Sequence, residues 1–302
     1  MISCVTVTER AFLNIGNRCS RGFYRPRPQA AHGALPPSRR LNEAWQNRPV
    51  GGISYVGTSG FAYQEWKGPF YPEDLPDTEM LRHYSGRFPA VEINYTFRRY
   101  PATKTLTGWA EKTTEDFRFV LKAHGRITHT KRLADADDDV SEFLDRARAL
   151  GRRLGPILLQ CPPSLRFDRR LIEGFVGYLP PTFRYAMEFR HPSWEEARSI
   201  LADQGVAWCL AETDERDPGT RTAEPFGYLR LRKNAYTDEE LSGWGAWIRE
   251  QADAGRDVFA FFKHEEGAVG PRHAERLLSL MDTDAANHGA GEEGVPFSPQ
   301  AS

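Results

Sequence analysis

The sequence predicts an α/β fold, a (β/α)8 TIM-barrel-like architecture with parallel strands inside and helices outside. Three observations carry that prediction. Eight short apolar, β-branched or aromatic segments alternate with stretches of amphipathic pattern. Eight such units fit into about 230 residues, the size of one barrel of this kind. The apolar segments also end in polar residues: Glu92 and Asn94, Lys122 and His124, Gln160, Glu188 and Arg190, Arg230 and Arg232, and His264. Residues two apart on a strand leave the same face, so each pair points one way. The same placement on five or six strands reads as one pocket at the carboxyl end of a barrel.

The strands are expected at 53–59, 90–96, 117–124, 156–162, 185–190, 206–211, 226–232 and 258–264. After the first, the run GTSGFAYQEW carries two glycines without the GxGxxG pattern of a phosphate-binding turn, which favours the barrel over an open doubly wound sheet. Residues 78–88 open on a capping-type Thr and an acid and set Met80, Leu81 and Tyr84 on one side. Residues 140–154 place Val140, Phe143, Leu144, Ala147 and Leu150 at helical spacing. Segments 169–179, 193–204, 238–254 and 271–281 read the same way, with Ser193 and Pro271 suited to helix starts. Residues 213–225 carry a weak pattern that suits a loop or one short turn.

Of 302 residues, 40% are hydrophobic and 12% aromatic, enough for a sizeable core. No apolar run approaches the roughly 20 residues needed to cross a bilayer, so a soluble protein with no membrane partner is expected, cytoplasmic by default. Charge is uneven. Residues 1–50 hold eight Arg, no Lys and two Glu, a net of +6, and residues 283–302 carry −3, which leaves −4 for 51–282. A mildly acidic body argues against a broad footprint for duplex nucleic acid, though not against a local cationic cleft. Residues 1–50 are rich in Arg, Pro and Ala and lack the apolar core of a secretory signal. They read as a disordered extension or a start assigned too far upstream, while the acid-poor composition leaves organelle targeting open. A single domain is expected over 51–282, followed by a frayed Ala/Gly/Glu-rich tail over 283–302. Cys4, Cys19, Cys161 and Cys209 form no CxxC and no zinc spacing, and read as reduced, packed thiols.

Glu92, Glu188 and Lys122 are the candidates for catalysis. A carboxylate among cations stays charged, which suits a base, a nucleophile or a metal ligand. Lys122, Arg190, Arg230 and Arg232 supply cations, and Arg presents a planar fork suited to phosphate or carboxylate. Asn94, His124, Gln160, Arg190, Arg230, Tyr63 and Trp66 are the candidates for substrate contact. The plainer alternative is that these charges pair with one another and plug the barrel. Aromatic residues cluster after the first strand (Phe61, Tyr63, Trp66, Phe70 and Tyr71) and after the second (Tyr95, Phe97 and Tyr100), where they either stack on a ligand or cap the barrel as core. His124, His129, His191 and His264 form no close pair. A divalent metal assembled from separate strands, for example by His124, Glu188 and His264, stays an open alternative.

Seven stretches together resemble the family known as domain of unknown function 72, or YecE-like. They are VGTSGFAYQEWKGPFYP (56–72), FPAVEINYTF (88–97), FRFVLKAHGRITHTKRL (117–133), LGPILLQCPPSLRFD (154–168), YAMEFRHPSW (185–194), YLRLR (228–232) and FAFFKHEEG (259–267). The resemblance covers about 51–281. It implies a TIM-barrel-like fold and no settled activity. It also points to Gly57, Ser59, Glu92, Asn94, Lys122, His129, Gln160, Glu188, Arg190 and Trp194 as motif positions. One departure is the last strand, where many members carry an Asn pair followed by Gly and this chain reads Phe262, Lys263, His264, Glu265. That weakens any contribution to the site from strand eight.

The expected function is a hydrolase or lyase acting on a phosphorylated or other anionic ligand at the barrel mouth. The alternatives are a binding protein for a metabolite or a nucleic-acid fragment, and a glycosidase-like enzyme. The last fits less well, because strands four and seven end in Gln160 and Arg230 rather than in carboxylates.

Overall fold

Eight strands close on themselves in chain order, every neighbouring pair parallel, and the last pairs with the first. They are β1 (Ser54–Ser59), β2 (Ala90–Ile93), β3 (Arg118–Lys122), β4 (Leu154–Gln160), β5 (Tyr185–Glu188), β6 (Val206–Glu212), β7 (Gly227–Leu231) and β8 (Val258–Phe262). This computed structural model describes residues 51–263 and 266–289. The segment 1–50, with Cys4 and Cys19, and the strand-end residue His264 lie outside the described residues.

Side-chain alternation separates two cores. Tyr55, Ala90, Val120, Leu158, Ala186, Ala207, Cys209, Tyr228, Phe259 and Phe261 pack inside the barrel. Their neighbours Val56, Val91, Leu121, Leu159, Met187, Leu210, Leu229 and Ala260 pack with the surrounding helices. Small side chains on β2, β5 and β6 leave room for the rings of β1, β7 and β8, and Tyr55 stacks on Phe259 at 4.6 Å. Gly57 is required where β1 meets β2, because a Cβ there would lie 2.0 Å from the Ala90 carbonyl oxygen.

Seven α-helices are present among the described residues: α1 (Met80–Ser85), α2 (Thr103–Glu111), α3 (Asp137–Ala147), α4 (Arg169–Tyr178), α5 (Ala197–Asp203), α6 (Asp238–Asp253) and α7 (Val269–Gly289). Local chemistry sets several starts. The Asp168 carboxylate accepts from the Leu171 amide at the head of α4. Thr237 and Glu240 exchange hydrogen bonds as a capping box at the head of α6, a device worth about 1 kcal/mol. The connection from β6 to β7 has no helix, in keeping with its weak pattern.

Four differences from expectation have local causes. Helix α2 is unannounced because Leu106 is its one buried residue, so it shows no apolar stripe. The single helix expected over 140–154 is α3 followed by a tighter turn at Arg148–Arg153, where Gly151 takes a φ of 55°. Helix α7 runs on to Gly289, past the expected boundary at 282. Strands β2, β3, β5 and β7 stop one to three residues early, so Asn94, His124, Arg190 and Arg232 sit in loops rather than on strands.

Candidate functional site

The carboxyl ends of six strands bring Ser59, Glu92, Lys122, Gln160, Glu188 and Arg230 together. Strand register accounts for two of the meetings, since Ser59 pairs with Glu92 and Gln160 with Glu188 across neighbouring strands. Arg230 is the hub. Its Nη2 donates to Glu92 Oε1 at 2.7 Å and its Nη1 to Glu188 Oε2 at 2.6 Å. Glu92 also accepts from Ser59 Oγ and from the Tyr228 hydroxyl, both at 2.8 Å. Glu188 also accepts from Gln160 Nε2 at 2.7 Å and from Arg190 Nε at 3.2 Å. Gln160 passes the chain on, its Oε1 accepting from Lys122 Nζ at 2.7 Å.

Burial makes this network costly unless every charge is met. Glu92 is 0% exposed and Arg230 2%. Burial pushes the Glu188 carboxyl up, but Arg230 and then Arg190 outweigh it and hold the group down at about 2. Glu92 is likewise held below its ordinary range, burial being overcome by Arg230 and the hydrogen bonds from Tyr228 and Ser59. Both carboxylates are therefore locked as anions. Neither carries a proton to donate near neutral pH, and the oxygens of both are taken. A catalytic role for Glu92 meets a physical obstacle, for it is sealed beneath Arg230, Tyr228 and Ser59.

Among the described residues the cations are in excess. Arg230, Arg190, Arg232 and Lys122 gather around two carboxylates. Arg232 makes no side-chain hydrogen bond or ion pair among the described residues, and it loses basicity through burial and the nearby Arg230 charge. Glu212 does not balance it: that carboxylate turns to the helix layer, accepting from the Trp244 indole and pairing with Lys233. Lys122 makes no ion pair among the described residues. Its Nζ lies 4.2 Å from the centre of the Phe97 ring, and burial followed by Arg230 brings its ammonium down to about 8. Gly125 lets that ring in, since a Cβ there would fall 2.9 Å from Phe97 Cζ.

His129 stands beside this group. It lies on a π-helical turn at Arg126–Thr130, a backbone form common at functional sites. Its ring packs edge-on to Phe97 at 4.8 Å, and burial, Lys122, Arg190 and Arg132 all favour its neutral form. Two buried polar atoms in the area, Arg230 Nε and Asn94 Oδ1, find no protein partner among the described residues.

Two expected contacts are corrected. Trp66 is fully buried, packed between Tyr63, Phe70 and Tyr71, and presents no surface to a ligand. His124 leaves the barrel face because β3 ends at Lys122. It stacks on Tyr100 at 4.2 Å, and its Nδ1 accepts from the Arg126 amide. Tyr100 in turn donates to Asp139, which pairs with Arg126 and Lys131, so His124 helps clamp a loop. Tyr63 is half-buried and its hydroxyl donates to the Ser59 carbonyl. Arg190 is exposed at the rim. Trp194 is core, its indole donating to the Leu165 carbonyl. The described residues hold no group of three His, Cys, Asp or Glu side chains placed to bind a metal ion.

Sequence reasoning missed Tyr228, and it named Phe97 and His129 without placing them beside Lys122. Tyr228 was legible, since it precedes Arg230 by two on the same strand face. Phe97 and His129 come from turns, where no period gives direction.

Residues 55–296 match the family described as Protein of unknown function DUF72. The protein YecE of Escherichia coli is 38% identical over 143 residues, which cover 46% of this chain; the chain spans about half, 49%, of that relative's length. YunF of Bacillus subtilis is 23% identical over 275 residues, 76% of this chain and 95% of its own. A DUF72 family protein from Thermotoga maritima has the same fold, with a TM-score of 0.66 and 26% identity over 76% of this chain and 99% of its own. One from Enterococcus faecalis gives 0.63 at 13% identity, over 78% and 99% respectively. No described helix is long and apolar enough to cross a membrane.

Proposed function

The chain belongs to the DUF72 family, and from the barrel mouth we propose that it is an enzyme, a lyase or hydrolase acting on a small phosphorylated or carboxylated ligand. One observation carries this reading: four cationic side chains face two carboxylates that are already fully engaged, and Arg232 feels those carboxylates only at a distance, with no ion pair of its own among the described residues. A guanidinium half-buried without an ion pair of its own favours an incoming anion. Arg232 and Arg190 hold the negative group. Arg230 is the fixed centre that keeps Glu92 and Glu188 ionised and oriented. Lys122, not a glutamate, carries the proton chemistry, because its amine loses its proton within reach of neutral pH.

A binding protein without turnover is the second reading. The locked carboxylates favour it, since the usual acid and base of a hydrolase are occupied elsewhere. Glycoside hydrolysis fits less well: the two glutamates share one arginine rather than flanking an open space.

Calorimetric titration of the full chain with inorganic phosphate and with pyruvate tests the anion site. At least one binds the wild type, and Arg232→Ala weakens it about tenfold, the effect of one charge-assisted contact. Failure of both anions to bind the wild type removes the proposal. A screen of phosphate esters and oxoacids then separates the two readings, for turnover abolished by Lys122→Met supports the enzyme.

A further inference from the structure

The geometry points to Lys122 as a nucleophile that forms an imine with the carbonyl group of an anionic substrate. This deepens the anion-site reading and rests on it. Among the groups gathered at the mouth, Lys122 is placed as no other is. Its Nζ has one hydrogen-bond partner, the neutral amide oxygen of Gln160. That oxygen accepts an N–H from an amine as well as from an ammonium, so losing a proton costs the contact little. The Phe97 face keeps water from one side of the nitrogen. Burial and the nearby Arg230 and Arg190 charges disfavour a second positive charge there, and they outweigh Glu92 and Glu188, whose oxygens are hydrogen-bonded to Arg230 rather than to Lys122. A lysine amine whose burial and cationic neighbours outweigh the nearby carboxylates is the arrangement that makes this side chain nucleophilic.

The surroundings supply the rest. Arg190, whose charge acts on both Lys122 and Arg232, and Arg232 beside it would hold a carboxylate or phosphate on the same molecule and offer its neighbouring carbonyl to the amine. The Nζ lone pair adds to the carbonyl carbon, and the C=O π electrons move to oxygen, which takes the proton released from nitrogen. The nitrogen then forms a C=N bond as the hydroxyl leaves as water with one proton. The net change is amine plus carbonyl to imine plus water, with no electrons exchanged outside the pair. A protonated imine draws electrons from the adjacent carbon, the chemistry a lyase uses to break a C–C or C–H bond. His129, kept neutral beside Lys122, is a ready proton acceptor for that step.

The test treats the full chain with pyruvate, glyceraldehyde 3-phosphate or uncharged glyceraldehyde, then reduces with cyanoborohydride and maps adducts by peptide mass. The peptide holding Lys122 is expected to carry a reduced adduct with at least one charged carbonyl, about tenfold above uncharged glyceraldehyde. Comparison of the two charged probes tells a carboxylate site from a phosphate site. Labelling grows as pH rises through about 8, where the amine is freed. Lys122→Arg keeps the cation and loses the adduct, and Arg232→Ala lowers it about tenfold. Calorimetry with inorganic phosphate and pyruvate runs alongside. Anion binding without an adduct on Lys122 overturns the imine and leaves the anion site standing. Absence of both overturns both. Labelling of Lys122 no greater than that of surface lysines, or equal with uncharged glyceraldehyde, also overturns the imine.

Discussion

The two ends of the barrel each hold an arginine paired with a buried carboxylate, and they use it differently. At the amino end, Arg184 donates to Asp257 at 2.6 Å, and the same carboxylate accepts from the Ile53 amide. The Arg184 guanidinium lies over the Phe226 ring at 4.1 Å. Here a cation meets an anion under aromatic cover. At the carboxyl end, one arginine is split between two carboxylates, and three further cations gather around them. The amino end closes the barrel. Among the described residues of the carboxyl end the cations outnumber the carboxylates, and burying unmatched charge costs stability. Charge in a barrel is thus not itself the mark of a site; what separates the two ends is how the described charges are shared.

The largest test of that contrast is Arg230 itself. Arg230→Met strands two fully buried carboxylates, so a loss of about 3–5 kcal/mol is expected in urea unfolding. Adding Glu92→Gln and Glu188→Gln should restore most of it, because neutral amides no longer need the guanidinium. A loss below about 1 kcal/mol would mean that the network is wetter than its burial implies.

Acid titration comes next. The folded-state pKa of Glu188 is depressed, so its stabilisation is present above the ordinary carboxylate value of 4.5 and is lost as pH falls toward about 2. Up to about 3 kcal/mol should disappear across that window. Glu188→Gln should flatten this limb, as read by unfolding at a series of pH values. An unchanged acid limb would show that the carboxylate is not held down by Arg230 and Arg190.

At the amino end, Asp257→Ala removes an ion-pair partner of Arg184, whose side chain is 23% exposed. Water can reach that guanidinium, so the expected loss is smaller, about 2 kcal/mol. Anion binding at the mouth should not change. If the Asp257 variant weakened phosphate or pyruvate binding as Arg232→Ala does, the two ends would not be independent.

How much of this was readable beforehand follows from where periodicity holds. Alternation is enforced only while a strand is paired, and the polar ends of β2, β3, β4, β5 and β7 were legible up to that limit: Glu92, Lys122, Gln160, Glu188 and Arg230 all turn inward. The last pairing of β3 is Lys122 with Leu158. Two residues further, His124 has left the strand, and parity no longer says where it points. Trp66 misled for a different reason: an aromatic cluster after a strand looks the same whether it caps a ligand or closes the core. Phe97 and His129 reach Lys122 from a short turn and a π-helical turn, whose directions are set by tertiary packing. The same parity gives Glu212 its outward direction, since it follows the inward-facing Ala211 by one residue on a strand still paired there.

The smallest effect is the most telling about function. Lys122 is depressed from 10.5 to about 8, so its ammonium is disfavoured in the folded protein. The folded state binds fewer protons than the unfolded chain between those values, and stability therefore rises with pH across that window. Below about 8 the charged lysine is a burden. Lys122→Met, which keeps the stem and removes the charge, should be more stable than the wild type at neutral pH by about 1 kcal/mol, allowing for the side chain's partial exposure. The gap should close as pH climbs from about 8 toward 10.5, because the wild-type amine discards the same charge. A site residue whose removal stabilises the fold is retained for chemistry rather than packing. If Lys122→Met is instead less stable at neutral pH, the lysine is a structural member of the network through Gln160, and the contrast between the two ends loses its sharpest feature.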